Sequence, residues 1–212
     1  MPSSILNSDD GVISGTSGLK NSGGDDAVLL IQTNGTTAQT VDSGQRTMFP
    51  TTIGVGGATP SASGSGISFP ASASVSSDAN TLDDYEEGTW TPAMVGSTTP
   101  GTTTHSVQDG YYVKIGRVVY VQADVRWTAA TGTGNLNISG FPFTARDISA
   151  NLNVGTNNIA LTANNLSTWL QMIINGTAAQ LYQMPTGGGG FGDVPLDTAG
   201  MVWINGFYYT NS

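Results

Sequence analysis

The sequence has no cysteine, one histidine and few charges, and each scarcity excludes a class of protein. Without cysteine, a disulfide scaffold, a thiolate metal site and a cysteine nucleophile are ruled out. His105 stands alone, which excludes a histidine-rich zinc site. No apolar run approaches the roughly 20 residues that cross a bilayer as a helix, so we expect no membrane insertion. We expect neither a cofactor nor a resident metal.

Charge is scarce and unevenly placed along the 212 residues. Charged side chains make up 10% of the chain, against roughly 25% in ordinary soluble domains. Six Lys and Arg against fifteen Asp and Glu argue against a nucleic-acid surface. Residues 1–89 hold ten acids and two bases, whereas fifteen of the seventeen aromatic residues lie from Tyr85 onward. This contrast predicts two regions, residues 1–84 and residues 85–212.

Residues 1–84 are too poor in apolar side chains to close a core of their own. Of residues 1–80, 36 are Ser, Thr or Gly, and ordering each residue costs about 1–2 kcal/mol of backbone entropy. Such a segment is either disordered or ordered by packing against copies of itself. The apolar run AVLLI (27–31) favours the second outcome, with Leu29, Leu30 and Ile31 as contacts between chains. Asn34-Gly35 follows between two β-prone runs, which predicts a hairpin.

Residues 85–212 show the patterns of an antiparallel β-sandwich. Apolar and polar residues alternate from Val119 to Trp127, which predicts a strand with one buried face. A second hairpin is predicted around Asn175-Gly176. Short strands separated by Gly, Asn and Thr turns are typical of a sandwich, here of jelly-roll type. Further strands are predicted at 90–95, 135–139, 158–163 and 200–209, and the predicted core or interchain anchors are Trp90, Trp127, Trp169 and Trp203.

No arrangement of side chains in the sequence predicts catalysis. His105 lies in a polar, turn-like stretch, and we interpret it as a solvated loop residue. One acidic cluster is dense enough for sugar cleavage by paired carboxylates, but clustered acids at a domain junction are typical of a solvated turn. That cluster consists of Asp83, Asp84, Glu86 and Glu87. We therefore predict no catalytic residues and no metal-binding residues, while a cation on an axis between copies stays open.

The glycine-rich loop 185–200 is the best candidate for binding. It places the aromatic Phe191 near Asp193, and an aromatic ring beside a carboxylate suits a sugar ring. Long loops on a rigid β scaffold often carry binding. Two roles stay open for Phe191, contact with a receptor or filling of a hydrophobic hole between protomers. Residues 146–158 form a second candidate loop.

Four segments resemble a family of phage tail-fibre and virion structural proteins. The most specific likeness lies in the junction DDYEEGTWTP (83–92). Further likenesses are LLIQTNGTTAQTVDSGQ (29–45), YYVKIGRVVYVQADVRW (111–127) and ISGFPFTA (138–145). The family is usually homotrimeric and has no known catalytic residues. The resemblance therefore implies a fibre, with residues 1–84 as an elongated, intertwined β shaft and residues 85–212 as a β-sandwich knob.

These observations together predict a non-enzymatic, homotrimeric fibre on a bacteriophage virion. We expect a tail fibre that attaches the particle to the host surface. The expected partners are copies of the same chain, another virion protein through the N-terminal region, and a host glycan or protein, but no nucleic acid. A head, neck or capsid decoration fibre is the first alternative. A polysaccharide-degrading tailspike is the second.

Overall fold

The computed structural model describes residues 29–33, 36–42, 44–78, 80–146, 150–161, 170–183 and 190–211. These residues form strands, turns and bends, so the protein is all-β, as predicted. None of them belongs to a helix that could cross a membrane. Trp169 and the Asn34-Gly35 turn lie outside the described residues. The chain divides into two compact units, Met1–Pro70 and Ala71–Ser212.

The first unit contains five short strands and no core of its own in its described part. The strands are β1 (Leu29–Thr33), β2 (Thr36–Val41), β3 (Thr47–Met48), β4 (Thr52–Gly54) and β5 (Gly66–Ser68). The predicted hairpin is confirmed, because β1 and β2 pair antiparallel and β3 extends that sheet. β4 and β5 form a separate parallel pair. Wherever burial is described in this unit, no residue is buried.

The described residues of the second unit form ten strands that hydrogen-bond in a single antiparallel sheet. The sheet order is β6-β8-β9-β15-β11-β12-β13-β10-β7, and β14 pairs with β13. Because β6 and β7 are consecutive in the chain but lie at opposite ends of this order, the sheet curls back on itself. The strands are β6 (Tyr85–Trp90), β7 (Ala93–Gly96), β8 (Thr103–Ile115), β9 (Val118–Ala130), β10 (Leu136–Ser139), β11 (Ala150–Asn157), β12 (Leu170–Asn175), β13 (Ala178–Gln183), β14 (Gly192–Asp193) and β15 (Gly200–Tyr209). The arrangement is consistent with the predicted sandwich.

The hydrophobic core lies inside this curled sheet. Its buried residues all fall between positions 90 and 208 of the second unit. The alternation predicted in β9 is confirmed, because its odd-numbered residues from Val119 to Trp127 are buried. The Trp90 ring stacks on Phe141 with centroids 4.7 Å apart, and Phe141 meets Tyr208 edge-on at 6.0 Å. The aromatic residues of the ISGFPFTA segment therefore close one end of the core.

Three stretches differ from the sequence prediction. The loop predicted over residues 146–158 contains strand β11, which pairs with both β12 and β15. The strand predicted at 158–163 is wrong in its described part, where residues 158–161 are not in a strand. The polar composition of β11 explains the error, since Leu152 is its one fully buried apolar side chain. The strand predicted at 90–95 is interrupted at Thr91-Pro92, where proline has no N–H for the ladder.

The unit boundary lies at residues 70/71, whereas the sequence prediction put it at 84/85. Residues before β6 belong to the second unit because they are hydrogen-bonded into it. The Ser76 N–H donates to the Asp83 carboxylate at 2.7 Å, and the Gly116 N–H donates to the Asp84 carbonyl at 2.9 Å. The sequence prediction placed the boundary where the aromatic residues begin, at Tyr85, whereas residues 71–84 pack with the second unit.

Replacing the core residue Ile204 with Ala should destabilise the second unit by about 2–5 kcal/mol, because the lost transfer energy adds to the cost of a cavity. Ile204 is 1% exposed, whereas the control residue Leu82 is 57% exposed. Leu82→Ala should therefore change stability by less than about 0.5 kcal/mol. Urea denaturation followed by tryptophan fluorescence measures both. Equal effects of the two substitutions would contradict the described core.

Candidate functional site

The outward side chains of β6, β8, β9 and β15 form an exposed apolar surface, which we call the aromatic face. These four strands are neighbours in the sheet. Each side chain of the face is 36–58% exposed. The members are Tyr85, Tyr111, Ile115, Val118, Tyr120, Phe207 and Tyr209. Exposed apolar patches of this kind mark interaction surfaces on soluble proteins.

Strand register explains why these side chains lie together. Tyr120 on β9 is opposite Val113 on β8 and Phe207 on β15. Val118 is likewise opposite Ile115 and Tyr209. Residues directly opposite in neighbouring antiparallel strands point to the same face, so each row extends the surface across three strands. The residues that alternate with them along the strands point inward and are buried in the core, so the side chains of the aromatic face must point outward.

Few charged side chains lie around the aromatic face, namely Glu87, Asp109, Asp124 and Arg126. The Tyr85 hydroxyl donates to the Glu87 carboxylate at 2.8 Å. Arg126 forms a 2.7 Å ion pair with Asp124, and the hydrogen bond from Arg126 lowers the pKa of the Asp124 carboxyl. The Arg126 guanidinium also lies 5.9 Å from the centroid of the Trp203 ring.

The predicted tryptophan anchors lie in different environments. Trp90 and Trp127 are buried, and their indole N–H groups donate to the carbonyls of Tyr111 and Asp197. Trp203 is 39% exposed and is not a core residue, because its neighbours at 202 and 204 point inward on β15 and it must point outward. Contact of Trp203 with another copy stays a prediction. Trp169 lies outside the described residues.

The remaining predicted contact residues lie in β1, in β14 and directly before β14. Leu29, Leu30 and Ile31 lie in β1, and Ile31 is 45% exposed. Phe191 is exposed, and its ring contacts that of Tyr182 with centroids 5.9 Å apart. Asp193 lies in β14, where its carboxylate accepts a 2.8 Å hydrogen bond from the Gln180 amide. Their roles between chains or toward a receptor stay predictions.

His105 is a strand residue, which corrects the interpretation of a solvated loop histidine. It lies in β8 and is partly buried. Its Nε2 accepts a 3.0 Å hydrogen bond from the Met94 N–H of β7. Burial lowers the pKa of the His105 imidazole. Nearby, the Thr103 hydroxyl donates to the Met94 carbonyl at 2.9 Å, so side chains of β8 satisfy the edge strand β7.

The acidic cluster is not the solvated turn that the sequence suggested. Asp84 is 6% exposed and pairs with Lys114, which is 2% exposed. Beside this pair the Tyr112 hydroxyl donates to Glu86 at 2.8 Å, and burial together with Glu86 raises the pKa of Tyr112 to about 12. Asp83 and Asp84 also line a surface cleft of about 410 Å³. The sequence analysis did not name Lys114, which is two positions from Tyr112 and therefore lies on the same face of β8.

Comparison with known proteins assigns no family or relative to this chain. No protein-family model matches the sequence, and no curated protein matches it as a relative. Within the described ranges, no group of three His, Asp or Glu side chains is placed to hold a metal ion. The candidate functional features are the aromatic face, the region of Phe191 and Asp193, and the buried Asp84–Lys114 pair.

We expect the stability of the protein to fall as His105 becomes protonated. Its folded-state pKa lies below the ordinary value of 6.5, so the unfolded chain takes up the proton first. The stabilisation that depends on a neutral His105 is fully present above pH 6.5. It is lost as the pH falls from there through the folded-state pKa of His105. His105→Gln keeps an acceptor for Met94 without titrating. Melting temperatures measured across this pH range should fall more steeply for the wild type, and parallel curves would refute the effect.

Proposed function

We propose that this protein is a non-enzymatic, homotrimeric fibre of a bacteriophage virion that attaches the particle to its host. The observation that carries the proposal is the absence of buried side chains in the first unit wherever burial is described. A chain segment that orders without a core of its own needs cover from other chains. Intertwined copies supply that cover in a fibre shaft, with Leu29, Leu30 and Ile31 at the contacts.

The aromatic face supports a second copy of this chain as the partner of the second unit. An aromatic side chain buries about 150–250 Å² in an interface, so five half-exposed rings offer on the order of 500 Å². Ile115 and Val118 add to this area. One partner of a stable complex contributes about 800 Å². A contact on the aromatic face is therefore close to the size that stable association requires.

The charge of the chain also favours this surface for contact between copies. Each copy carries a formal net charge of −9, and like-charged proteins repel one another. Copies can pack closely only where charge is sparse or paired. On the aromatic face charge is sparse. Arg126 neutralises Asp124, whereas Glu87 accepts a hydrogen bond from Tyr85 and Asp109 lies opposite Asp124, and both remain charged. The mixture of aromatic and β-branched side chains suits protein packing better than sugar stacking.

Attachment then follows from the repetition of one weak site in three linked copies. Linked sites raise the overall avidity without any new contact. We assign the host contact to the loop that carries Phe191 and Asp193, and the attachment to the particle to the N-terminal region. The second unit would be the knob, a jelly-roll-like sandwich. A head or neck fibre uses the same architecture without a host receptor, and a tailspike adds turnover of a polysaccharide.

Tyr120→Glu should weaken assembly by more than about tenfold, because the loss of a central interface aromatic costs about 2 kcal/mol or more. Tyr120 is half exposed, so a single chain tolerates the change. Sedimentation of full-length protein over a range of concentrations measures the shift from three chains to one chain of 21.8 kDa. Leu82→Glu, an exposed residue of the same unit outside the aromatic face, is the control. Wild-type protein that sediments as one chain, or Tyr120→Glu that assembles normally, would refute the contact.

Purified protein should compete with whole phage for host cells, and Phe191→Ala should compete less. Gold-labelled antibodies against the chain should mark fibres at the tail of intact particles. Labelling of the head without competition would replace the tail-fibre proposal with the head or neck alternative. Sustained release of reducing ends from host polysaccharide would instead establish the tailspike.

A further inference from the structure

Lys114 and Asp84 form a buried contact at the base of the β6–β8 pairing. The side chain of Lys114 is 3% exposed and that of Asp84 is 9% exposed, and their Nζ and Oδ2 atoms are in direct contact. Asp84 immediately precedes β6 and Lys114 lies near the end of β8. The ring of Phe143 lies 5.5 Å from Nζ, so the pair faces an aromatic surface. A buried ion pair of this kind carries a large desolvation cost.

As an ion pair, this contact leaves the ammonium poorly satisfied. A lysine ammonium has three N–H donors. Among the described residues, Asp84 is the one hydrogen-bond acceptor of Lys114. Buried charges are normally retained with all of their hydrogen bonds made. An amide between the two side chains would carry no charge and would require an acceptor for only one N–H.

We propose that Lys114 and Asp84 condense to an intramolecular isopeptide bond. A proton passes from the ammonium to the carboxylate, which gives a neutral amine and a neutral acid. Nζ then attacks Cγ of Asp84, the Cγ–OH bond breaks, and Nζ gives up a second proton to the departing hydroxyl. The products are one amide and one water molecule, and no oxidant or other reactant is needed. Two groups held in contact react as one molecule.

Glu86 is placed to relay protons in this condensation. It is directly opposite Lys114 in the β6–β8 register. Asp84, Glu86 and Lys114 share the inward face, because Asp84 and Glu86 are two positions apart along an extended strand. The Tyr112 hydroxyl donates to Glu86 Oε1 at 2.8 Å, which holds the carboxylate in place. The surface cleft beside Asp84 gives the released water a path to solvent.

The bond would join the first strand of the second unit covalently to its longest hairpin. β6 is an edge strand, held in the sheet by β8 alone. A strand at such an edge is the first to open when the chain before it is pulled. The sequence has no cysteine, so a disulfide cannot serve here. This inference concerns the interior of the second unit and does not depend on the proposed attachment function.

The mass of the denatured full-length protein tests the bond directly. We expect the wild type to weigh less than its sequence by one water molecule, and Lys114→Arg to have its full sequence mass. Asp10-Gly11 and Asp109-Gly110 can also lose water by cyclising, but both are present in Lys114→Arg. A wild type of full mass, or a water loss that is equal in the wild type and in Lys114→Arg, would overturn the proposal.

Two readouts on the wild type alone keep the test valid if Lys114→Arg fails to fold. Trypsin should not cleave after Lys114, because its side chain is acylated. Cleavage after Glu86 or Glu87 should leave the peptides that contain Asp84 and Lys114 joined. Ordinary cleavage after Lys114, with the two peptides separate, would overturn the bond.

Glu86→Gln keeps an acceptor for Tyr112 but cannot relay protons. The fraction of this variant that carries the Lys114–Asp84 bond after a given time should therefore be lower than in the wild type. Equal fractions would refute the role of Glu86.

Discussion

The pairing of β6 with β8 is the constraint on which the second unit depends. Each strand contributes one glycine that the other covers with a large ring. A Cβ on Gly88 would lie 2.9 Å from the Tyr112 hydroxyl, and a Cβ on Gly110 would lie 2.6 Å from Trp90 Nε1. These cross-strand pairs, Gly88 with Tyr112 and Trp90 with Gly110, fix the register to a single residue. The same register brings Glu86 opposite Lys114 and directs the aromatic face outward.

The two units meet the cost of ordering a chain in opposite ways. The second unit buries its apolar side chains internally, and its core includes Trp90, Trp127 and Tyr208. The first unit has paired strands but no buried residue in its described part. Backbone pairing alone does not offset the entropy of ordering. This contrast is why we propose that other copies cover the first unit, and that a partner of the second unit would contact its aromatic face.

Sequence patterns predicted the strands that have one clearly apolar side and failed where that contrast was weak. The alternation in β9 and the β1–β2 hairpin follow from local rules of period and turn chemistry. β11 was missed because its asparagines and glycine give no apolar alternation, and Leu152 is its one fully buried apolar side chain. The burial of Asp84 against Lys114 was missed because burial of a charge depends on its partner, and the two residues lie far apart in the chain. The alternation along β15 predicts that Trp203 points outward, because it lies between two inward residues. The sequence analysis grouped it with the buried tryptophans on residue type alone.

Three segments that the sequence analysis singled out, 83–92, 111–127 and 138–145, contain elements that constrain one another. DDYEEGTWTP contains Asp84, the whole of β6 and Trp90, and YYVKIGRVV contains Tyr112, Lys114 and the turn into β9. These residues meet across one strand pair, so a change in one requires a matching change in the other. ISGFPFTA completes the group, since Phe141 stacks on Trp90 and Phe143 lies beside Lys114. These three segments therefore meet at one corner of the second unit, where the register of β6 with β8 and the ring contacts of Phe141 and Phe143 restrict one another.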